Sequence, residues 1–359
     1  MNSYRIIGVM SGTSMDGVDI AYVSFNQEAN GSWNHEVHTT HTVSFPNNLL
    51  EQLRISRSIS SEELLLLDKD LGQFFGEIIN DFILKNKLSK HDIRAIASHG
   101  HTVFHQPEKG FTLQIGCGAT ISSVTGLDVI NDFRTKDIIA GGQGAPLVPI
   151  GDSLLFSKHA DTFLNIGGFS NVCLLSDPIV AFDISPGNLP LNELTIRYFG
   201  QSFDDNGDLA RSGALIVDLL ASLDAIEYYA LSPPKSLGTE WLDTCFSVVI
   251  DKFRDHSPKD LLHTVTKHIG IQIGATLESK HAKRVLVTGG GAKNKFLLET
   301  IAANFSGEIR VPDEQLIDYK EAITFGFLGA LFLNNSYNTI PSVTGASKAV
   351  IGGVINTAD

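Results

Sequence analysis

Cysteine is scarce in this chain: Cys117, Cys173 and Cys245 are the only three in 359 residues. An odd number at wide spacing gives neither a disulfide framework nor a Cys-x-x-Cys redox or zinc pattern, so they read as reduced thiols of a cytoplasmic protein. Basic runs are missing too. With 27 Lys and Arg against 40 Asp and Glu, and no run of five bases, the chain offers no footprint for nucleic acid. Long apolar runs are also lacking. Ala322 to Leu333 is the greasiest stretch, but Thr324 and two glycines interrupt it, and it falls short of the roughly 20 residues that span a bilayer. A buried helix is expected there, with no membrane association, and Ile6 to Met10 is too short for an export signal.

The familiar phosphate motifs are absent as well. No Gly-Lys pair occurs anywhere, which excludes a Walker A loop, and no complete Gly-x-Gly-x-x-Gly is present. A nucleotide site in so acidic a chain must be built from backbone amides, a few basic side chains and a metal ion.

What is present is α/β material. Arg5 to Met10 and Val18 to Phe25 look extended, whereas Ser61 to Lys85 places Leu64, Leu67, Leu71, Phe74, Phe75, Ile78 and Ile79 at helical steps, one face for packing on a sheet. The length exceeds what one core usually supports and predicts two domains with a cleft. We place a first domain at 1–150, ending just after the turn-rich Gly141 to Pro146, and a second at 151–335. The segment 336–359 contains an apolar stretch, Ala349 to Val354, suited to a strand returning to the first domain.

Two segments resemble each other: Ile7 to Ser14, and Leu164 to Asn171. Each sets glycines and hydroxyl residues between apolar strands. Alone, either is an ordinary glycine hairpin. As a pair they form a duplicated phosphate clamp, with Gly12, Thr13, Ser14, Met15, Asp16, Gly17, Val18 and Asp19 in the first turn and Gly167, Gly168, Ser170 and Asn171 in the second. Asp16 or Asp19 would face magnesium through water, the alternative being a turn-forming role. Val285 to Asn294 reads as a strand, the triple glycine Gly289, Gly290 and Gly291, and a helix start. Such a turn admits a nucleobase or ribose, with Asn294 able to hydrogen-bond beside it.

Two phosphate turns and a late glycine adenosine turn, in that order, resemble the actin, sugar kinase and heat-shock chaperone superfamily. Within it, the chain is similar over nearly its whole length to the anhydro-N-acetylmuramic acid kinase family. The resemblance is carried by Gly8 to Asp19, His99 to His105, Asp132-Phe133-Arg134, Gly141 to Pro149, Leu164 to Asn171, Asp183 with Pro186-Gly187-Asn188, Pro234-Lys235-Ser236, and Pro341 to Ala346. It implies two ribonuclease H-like domains flanking a nucleotide cleft, and a cytoplasmic homodimer that uses ATP and Mg2+ to make N-acetylmuramic acid 6-phosphate. Ile184-Ser185 stands where the family generally has Thr-Gly. Pro190, Asn192 and Thr239 also depart from its pattern, and glutamine is common at the place of His101.

In a 1,6-anhydro sugar O6 is already bonded to C1, so its phosphorylation requires water to attack C1, and one carboxylate base suffices. We assign that base to Asp183, which follows the apolar Val180-Ala181-Phe182 and precedes a Ser-Pro-Gly-Asn turn; a turn-initiating Asp is the plainer reading. His99, His101, Arg134, Gly144, Pro146, Asn188 and Lys235 are expected to contact the sugar or phosphate. Zinc is not expected at His99, His101 and His105, which lack the usual ligand spacings. A chaperone-like ATP-binding protein and a kinase for another amino sugar stay open at this point.

Overall fold

The computed structural model describes residues 2–12 and 15–358. Two compact units divide the chain: Met1–Phe156 with Tyr319–Asp359, and Ser157–Asp318. The divisions fall at 156/157 and 318/319 rather than near the expected 150 and 335. The second division falls within the helix Glu314–Leu333, whose apolar part packs in the first unit.

The first unit's sheet comprises β1 (Asn2–Ser11), β2 (Val18–Gln27), β3 (Trp33–Val43), β4 (Ala95–Gln106), β5 (Phe111–Ile115), β6 (Val129–Asn131) and β12 (Val354–Asn356). Its order is β12-β6-β4-β1-β2-β3, with β5 paired to β4 off this path. β1, β2 and β3 form an antiparallel meander, while β4 runs parallel to β1 and β6 parallel to β4. The second unit holds β7 (Thr162–Ile166), β8 (Phe169–Leu174), β9 (Val180–Pro186), β10 (Arg284–Thr288) and β11 (Glu308–Arg310), in the order β11-β10-β7-β8-β9. Again three strands meander antiparallel and two follow parallel. The chain thus builds one ribonuclease H-like sheet twice.

Each unit has its own apolar core. In the first, the helix Ser61–Lys85 opens with a capping box: Ser60 Oγ accepts the Glu63 amide and a Glu63 carboxylate oxygen accepts the Ser60 amide. It buries Leu67, Leu71, Phe75, Ile78 and Ile79, as the spacing predicts. The helix Glu314–Leu333 is apolar nearly all round past Tyr319 and is buried from Ala322 to Leu331, the pattern of a core helix. It lies so close on β1 that a Cβ at Gly8 would sit 2.0 Å from the Ala322 carbonyl oxygen. Just before that stretch, Lys320 Nζ meets Asp152 Oδ1 at 2.6 Å, both side chains buried.

The C-terminal strand differs in place from the expected Ala349 to Val354. Pairing begins only at Val354, antiparallel to β6. Residues before it are held by side chains: Asn338 Nδ2 donates to the Gly352 carbonyl and Asn338 Oδ1 accepts the Gly352 amide.

Candidate active site

In the second unit β7 and β10 run side by side and parallel, with Asn165 opposite Thr288. The loops leaving their C-terminal ends therefore emerge together, at the end where open α/β sheets bind ligands. One is the two-residue turn Gly167-Gly168; the other is Gly289-Gly290-Gly291. The triple glycine packs on the end of β7: a Cβ on Gly291 would lie 2.2 Å from Ile166 Cγ2, and Gly289, at φ +81°, would press one to 2.7 Å from Asn165 Oδ1. Gly290 differs. Its Cβ would meet only Asn188 Nδ2, at 3.4 Å, so the middle glycine is the one with space before it.

The segment Pro186-Gly187-Asn188 closes onto the same place. The Gly187 amide donates to Gly168 O and the Asn188 amide to Gly167 O, both at 2.8 Å, and Asn188 Nδ2 donates to Ile166 O at 3.2 Å. With the turn's carbonyls engaged and the Gly167 amide given to Phe169 O at 3.1 Å, what it has to offer an anion is the Gly168 amide. Asn188, expected at the sugar, stands against the triple glycine instead.

Register adds a feature that the sequence hides. Thr288 pairs with Asn165, Asn165 with Asn171, and Asn171 with Asp183, so four polar residues form a row across β10, β7, β8 and β9. Opposed residues share a face. The row leads from the triple glycine to Asp183, and the buried Thr288 hydroxyl finds no hydrogen-bond partner among the described residues.

Ser170 and Asn294 take other positions than expected. Ser170 is fully buried, with its hydroxyl 3.0 Å from the Ser185 carbonyl and 2.9 Å from the Ser185 hydroxyl, so it locks β8 to β9. Asn294 caps the helix Lys295–Ala302, accepting the Leu297 amide at 3.0 Å. Helix capping is a general preference of Asn, and it accounts for this residue without a ligand.

Asp183 is half-buried and held on several sides. Its Oδ2 accepts the Leu237 amide at 2.8 Å, its carbonyl accepts the Tyr228 hydroxyl at 2.7 Å, and its own amide donates to Lys235 O at 3.2 Å. Burial pushes its carboxyl above the usual range, and the Leu237 amide opposes that in part. Lys235 Nζ donates to Tyr228 O at 3.1 Å and lies 4.5 Å over the Tyr228 ring, so its ammonium is tethered beside Asp183's support. Burial, then Lys280, lowers its pKa.

In the first unit the glycine-hydroxyl turn joins β1 to β2. Thr13 and Ser14 lie outside the described residues. Met15, at φ +60°, donates its amide to Gly12 O at 3.1 Å, Asp16 is exposed, and Gly17 and Val18 are buried where β2 begins. Asp19 accepts the Thr42 hydroxyl at 2.6 Å. Ser11, the last residue of β1, shares a hydrogen bond with His101 Nδ1 at 3.0 Å. Burial lowers His101 to about 4, so the ring is neutral at pH 7.

Of the expected sugar-side residues of this unit, His99 and Gly144 meet Arg134. Its Nε and Nη2 lie 3.0 and 2.8 Å from His99 Nε2, and its Nη1 donates to the Gly144 carbonyl at 2.7 Å. A guanidinium only donates, so His99 Nε2 is the acceptor and Nδ1 carries the proton toward Gly100 O. Burial and then Arg134 hold His99 well below its ordinary pKa, while burial lowers Arg134 to about 10. Asp137, fully buried, accepts the Gly144 amide and the Thr344 hydroxyl, each at 2.8 Å. This ties the Gly141 to Pro146 loop, with its cis Ala145-Pro146 bond, to the Pro341 to Ala346 segment.

Glu321 is a residue that sequence reasoning missed. It is open to water, yet the density of protein around it raises its carboxyl, with Arg134 and Lys320 pulling downward and Asp19 adding to the rise. No motif marks it.

Asp16, Asp19 and Glu321 are oxygen donors, the chemistry that suits Mg2+, which keeps most of its water and needs one or two carboxylates beside nucleotide phosphates. Among the described residues no three His, Cys, Asp or Glu converge as a complete protein-made metal cage.

Comparison with known proteins adds the following. A family model described as anhydro-N-acetylmuramic acid kinase matches residues 4–358. The chain is 36% identical over 380 residues to the anhydro-N-acetylmuramic acid kinase of Francisella tularensis subsp. novicida, covering 99% of this chain and 100% of the relative. It is 38% identical to that of Shewanella oneidensis, covering 98% of this chain and 99% of the relative. For that of Haemophilus influenzae the identity is 35%, over 100% and 99%. Among solved structures, the activator of 2-hydroxyisocaproyl-CoA dehydratase from Clostridium difficile with bound ADPNP aligns with a TM-score of 0.47 at 13% identity, over 92% of this chain and 97% of that one. A ROK family glucokinase from Streptomyces griseus aligns with a TM-score of 0.39 at 14% identity, over 90% and 98%.

Proposed function

Since the chain belongs to the anhydro-N-acetylmuramic acid kinase family, we propose that Asp183 is the general base with which it opens and phosphorylates the 1,6-anhydro sugar at the expense of ATP. The observation that carries this is the placement of Asp183 in one polar row with Asn171, Asn165 and Thr288, which runs to the glycine turns.

Water attacks C1 and gives its proton to Asp183. The C1–O6 bond breaks, its electron pair stays on O6, O6 attacks the γ-phosphorus, and ADP departs. No acid is needed for O6, because phosphorus takes the place of a proton. The products are N-acetylmuramic acid 6-phosphate and ADP. With Oδ2 bound to the Leu237 amide, Oδ1 is the oxygen that faces the water's proton. A carboxyl raised by burial is a stronger base than a solvated one and better matched to neutral pH.

Gly168 offers its amide to phosphate, as the glycine-hydroxyl turn of the first unit does, and Gly290 leaves room for adenosine, with Gly289 and Gly291 shaping that turn. Arg134, preset by His99 and Gly144, turns its remaining N–H groups to the sugar's carboxylate or to a phosphate. Asp16 or Asp19, with Glu321, would hold Mg2+ through water, and the ion would supply neutralisation of phosphate charge. The family resemblance extends the proposal to a cytoplasmic homodimer, in keeping with three cysteines held as thiols rather than disulfides.

Mass spectrometry of products formed in heavy-oxygen water tests the reading. One label at C1 of a 6-phosphosugar is expected. Label on phosphate with an intact anhydro ring overturns it.

A further inference from the structure

We propose that His268, bonded to Asp224 on one side and Tyr229 on the other, is a positioning residue that orients the segment holding Asp183. This rests on the reading of Asp183 as the base.

His268 lies in the helix Pro258–Ser279 and is fully buried. A buried imidazole is tolerated when both nitrogens are satisfied, and here they are. Nδ1 is 2.8 Å from Asp224 Oδ1 and Nε2 is 2.9 Å from the Tyr229 hydroxyl. Asp224, which also accepts Gln272 Nε2 at 3.0 Å, only accepts, so Nδ1 carries the proton. Nε2 of the neutral ring is then an acceptor, and the Tyr229 hydroxyl donates to it. Burial favours that neutral form, against the pull of Asp224. Proton positions along Asp224, His268 and Tyr229 thus run in one direction, and they fix which way Tyr229 points.

Tyr229 adjoins Tyr228, and Tyr228 supports Asp183. The Tyr228 hydroxyl takes the Asp183 carbonyl, its own carbonyl takes Lys235 Nζ, and the stretch it begins supplies Lys235 O and Leu237 N to Asp183. Leu231, Ser232, Pro234 and Ser236 in that stretch are exposed. Its order therefore depends on anchors at its ends. Trp241 packs at 5.3 Å against Tyr228 and at a right angle, 6.4 Å, against Tyr229, closing the cluster over the His268 ring. Filling a core would need only an apolar residue. A directional hydrogen-bond chain adds a fixed rotation of Tyr229, and through it of Tyr228 and the base.

The test uses the full-length enzyme with Trp33→Phe, so that Trp241 is the single remaining tryptophan. Into that parent go Tyr229→Phe, His268→Ala, His268→Gln and, separately, Asp183→Asn. Turnover, KM for both substrates, thermal midpoint and acrylamide quenching of Trp241 are measured. Tyr229→Phe and His268→Ala should lower kcat by about tenfold or more, the scale of a small misplacement of a catalytic group, with little change in KM for ATP and with greater quenching. His268→Gln should recover most of the turnover, because its carboxamide oxygen can still accept from Tyr229. Tyr229→Phe loses a single oxygen and decides the matter if His268→Ala fails to fold. A folded Tyr229→Phe enzyme with parental kcat overturns the proposal, even if its midpoint has fallen. If Asp183→Asn keeps full turnover, the base assignment fails instead; quenching then still judges the anchor, and an unchanged value in Tyr229→Phe overturns it.

Discussion

The Leu237 amide reaches Asp183 Oδ2 at 2.8 Å across 54 residues of chain, and it fixes one oxygen of that carboxylate. Asp183→Asn keeps an oxygen for that amide and loses the proton acceptor. Turnover should fall on the order of 10² to 10⁴-fold with substrate affinities nearly unchanged, measured by steady-state kinetics and titration calorimetry. Because burial raises the native carboxyl above its ordinary 3.8, the ionised form opposes folding once the pH exceeds that raised value. The Asn variant should therefore be no less stable than the parent at pH 7. A variant that unfolds while the remaining folded fraction turns over normally would return Asp183 to a turn-forming role.

Acid should weaken the fold before the carboxylates titrate. His101 falls from an ordinary 6.5 to about 4 when buried, so between those values the unfolded chain takes up a proton that the folded chain does not. Stability is full above pH 6.5 and declines as the pH drops toward 4, by up to about 3 kcal/mol from this group. His99 and His268 are shifted in the same direction. Denaturant melts from pH 7 to pH 4.5 should show the decline, and His101→Gln should flatten it.

Gly289, Gly290 and Gly291 should separate by experiment. Gly291→Ala drives a Cβ to 2.2 Å from Ile166 and should cost about 1–3 kcal/mol in stability. Gly290→Val has open space before it and should fold, while its branched side chain weakens ATP binding. Thermal melts and calorimetry on the pair distinguish the two effects, and unaltered ATP affinity in Gly290→Val would move adenosine elsewhere.

The buried Lys320 and Asp152 pair makes another sharp case. Lys320→Met leaves Asp152 charged, nearly inaccessible and without its cation, which should cost about 3–5 kcal/mol. Adding Asp152→Leu should recover much of that loss. Urea denaturation of the single and double variants gives the comparison.

Glycine turns and helical periodicity were legible because each is local. Gly167-Gly168 and Gly289 to Gly291 could each be read as a glycine loop, and the strands that they follow are neighbours. Ser170 looked like a phosphate ligand by spacing alone, but strand alternation turns it inward to Ser185. Asn294 carried a signal that was available: an Asn just ahead of a helix is a preferred cap. Asn165 needed the strand register to join the polar row, and Glu321 needed the fold itself, for it lies in a helix far along the chain from the residues it influences. The helix Glu314–Leu333 also explains the misplaced domain boundary. Its apolarity shows that it is buried, but not in which core.

The order in which the chain visits its two units sets a timetable for synthesis. Residues 157–318 are translated before the ribosome reaches the helix that covers Gly8 and the strand that pairs with β6. Throughout that interval the nascent first unit has an apolar sheet face without its helix and a strand edge without its neighbour. Such surfaces are where partly made chains stick to one another. The middle of translation is thus when this protein most needs a chaperone, and a pause anywhere within residues 157–318 would prolong that exposure by its own length.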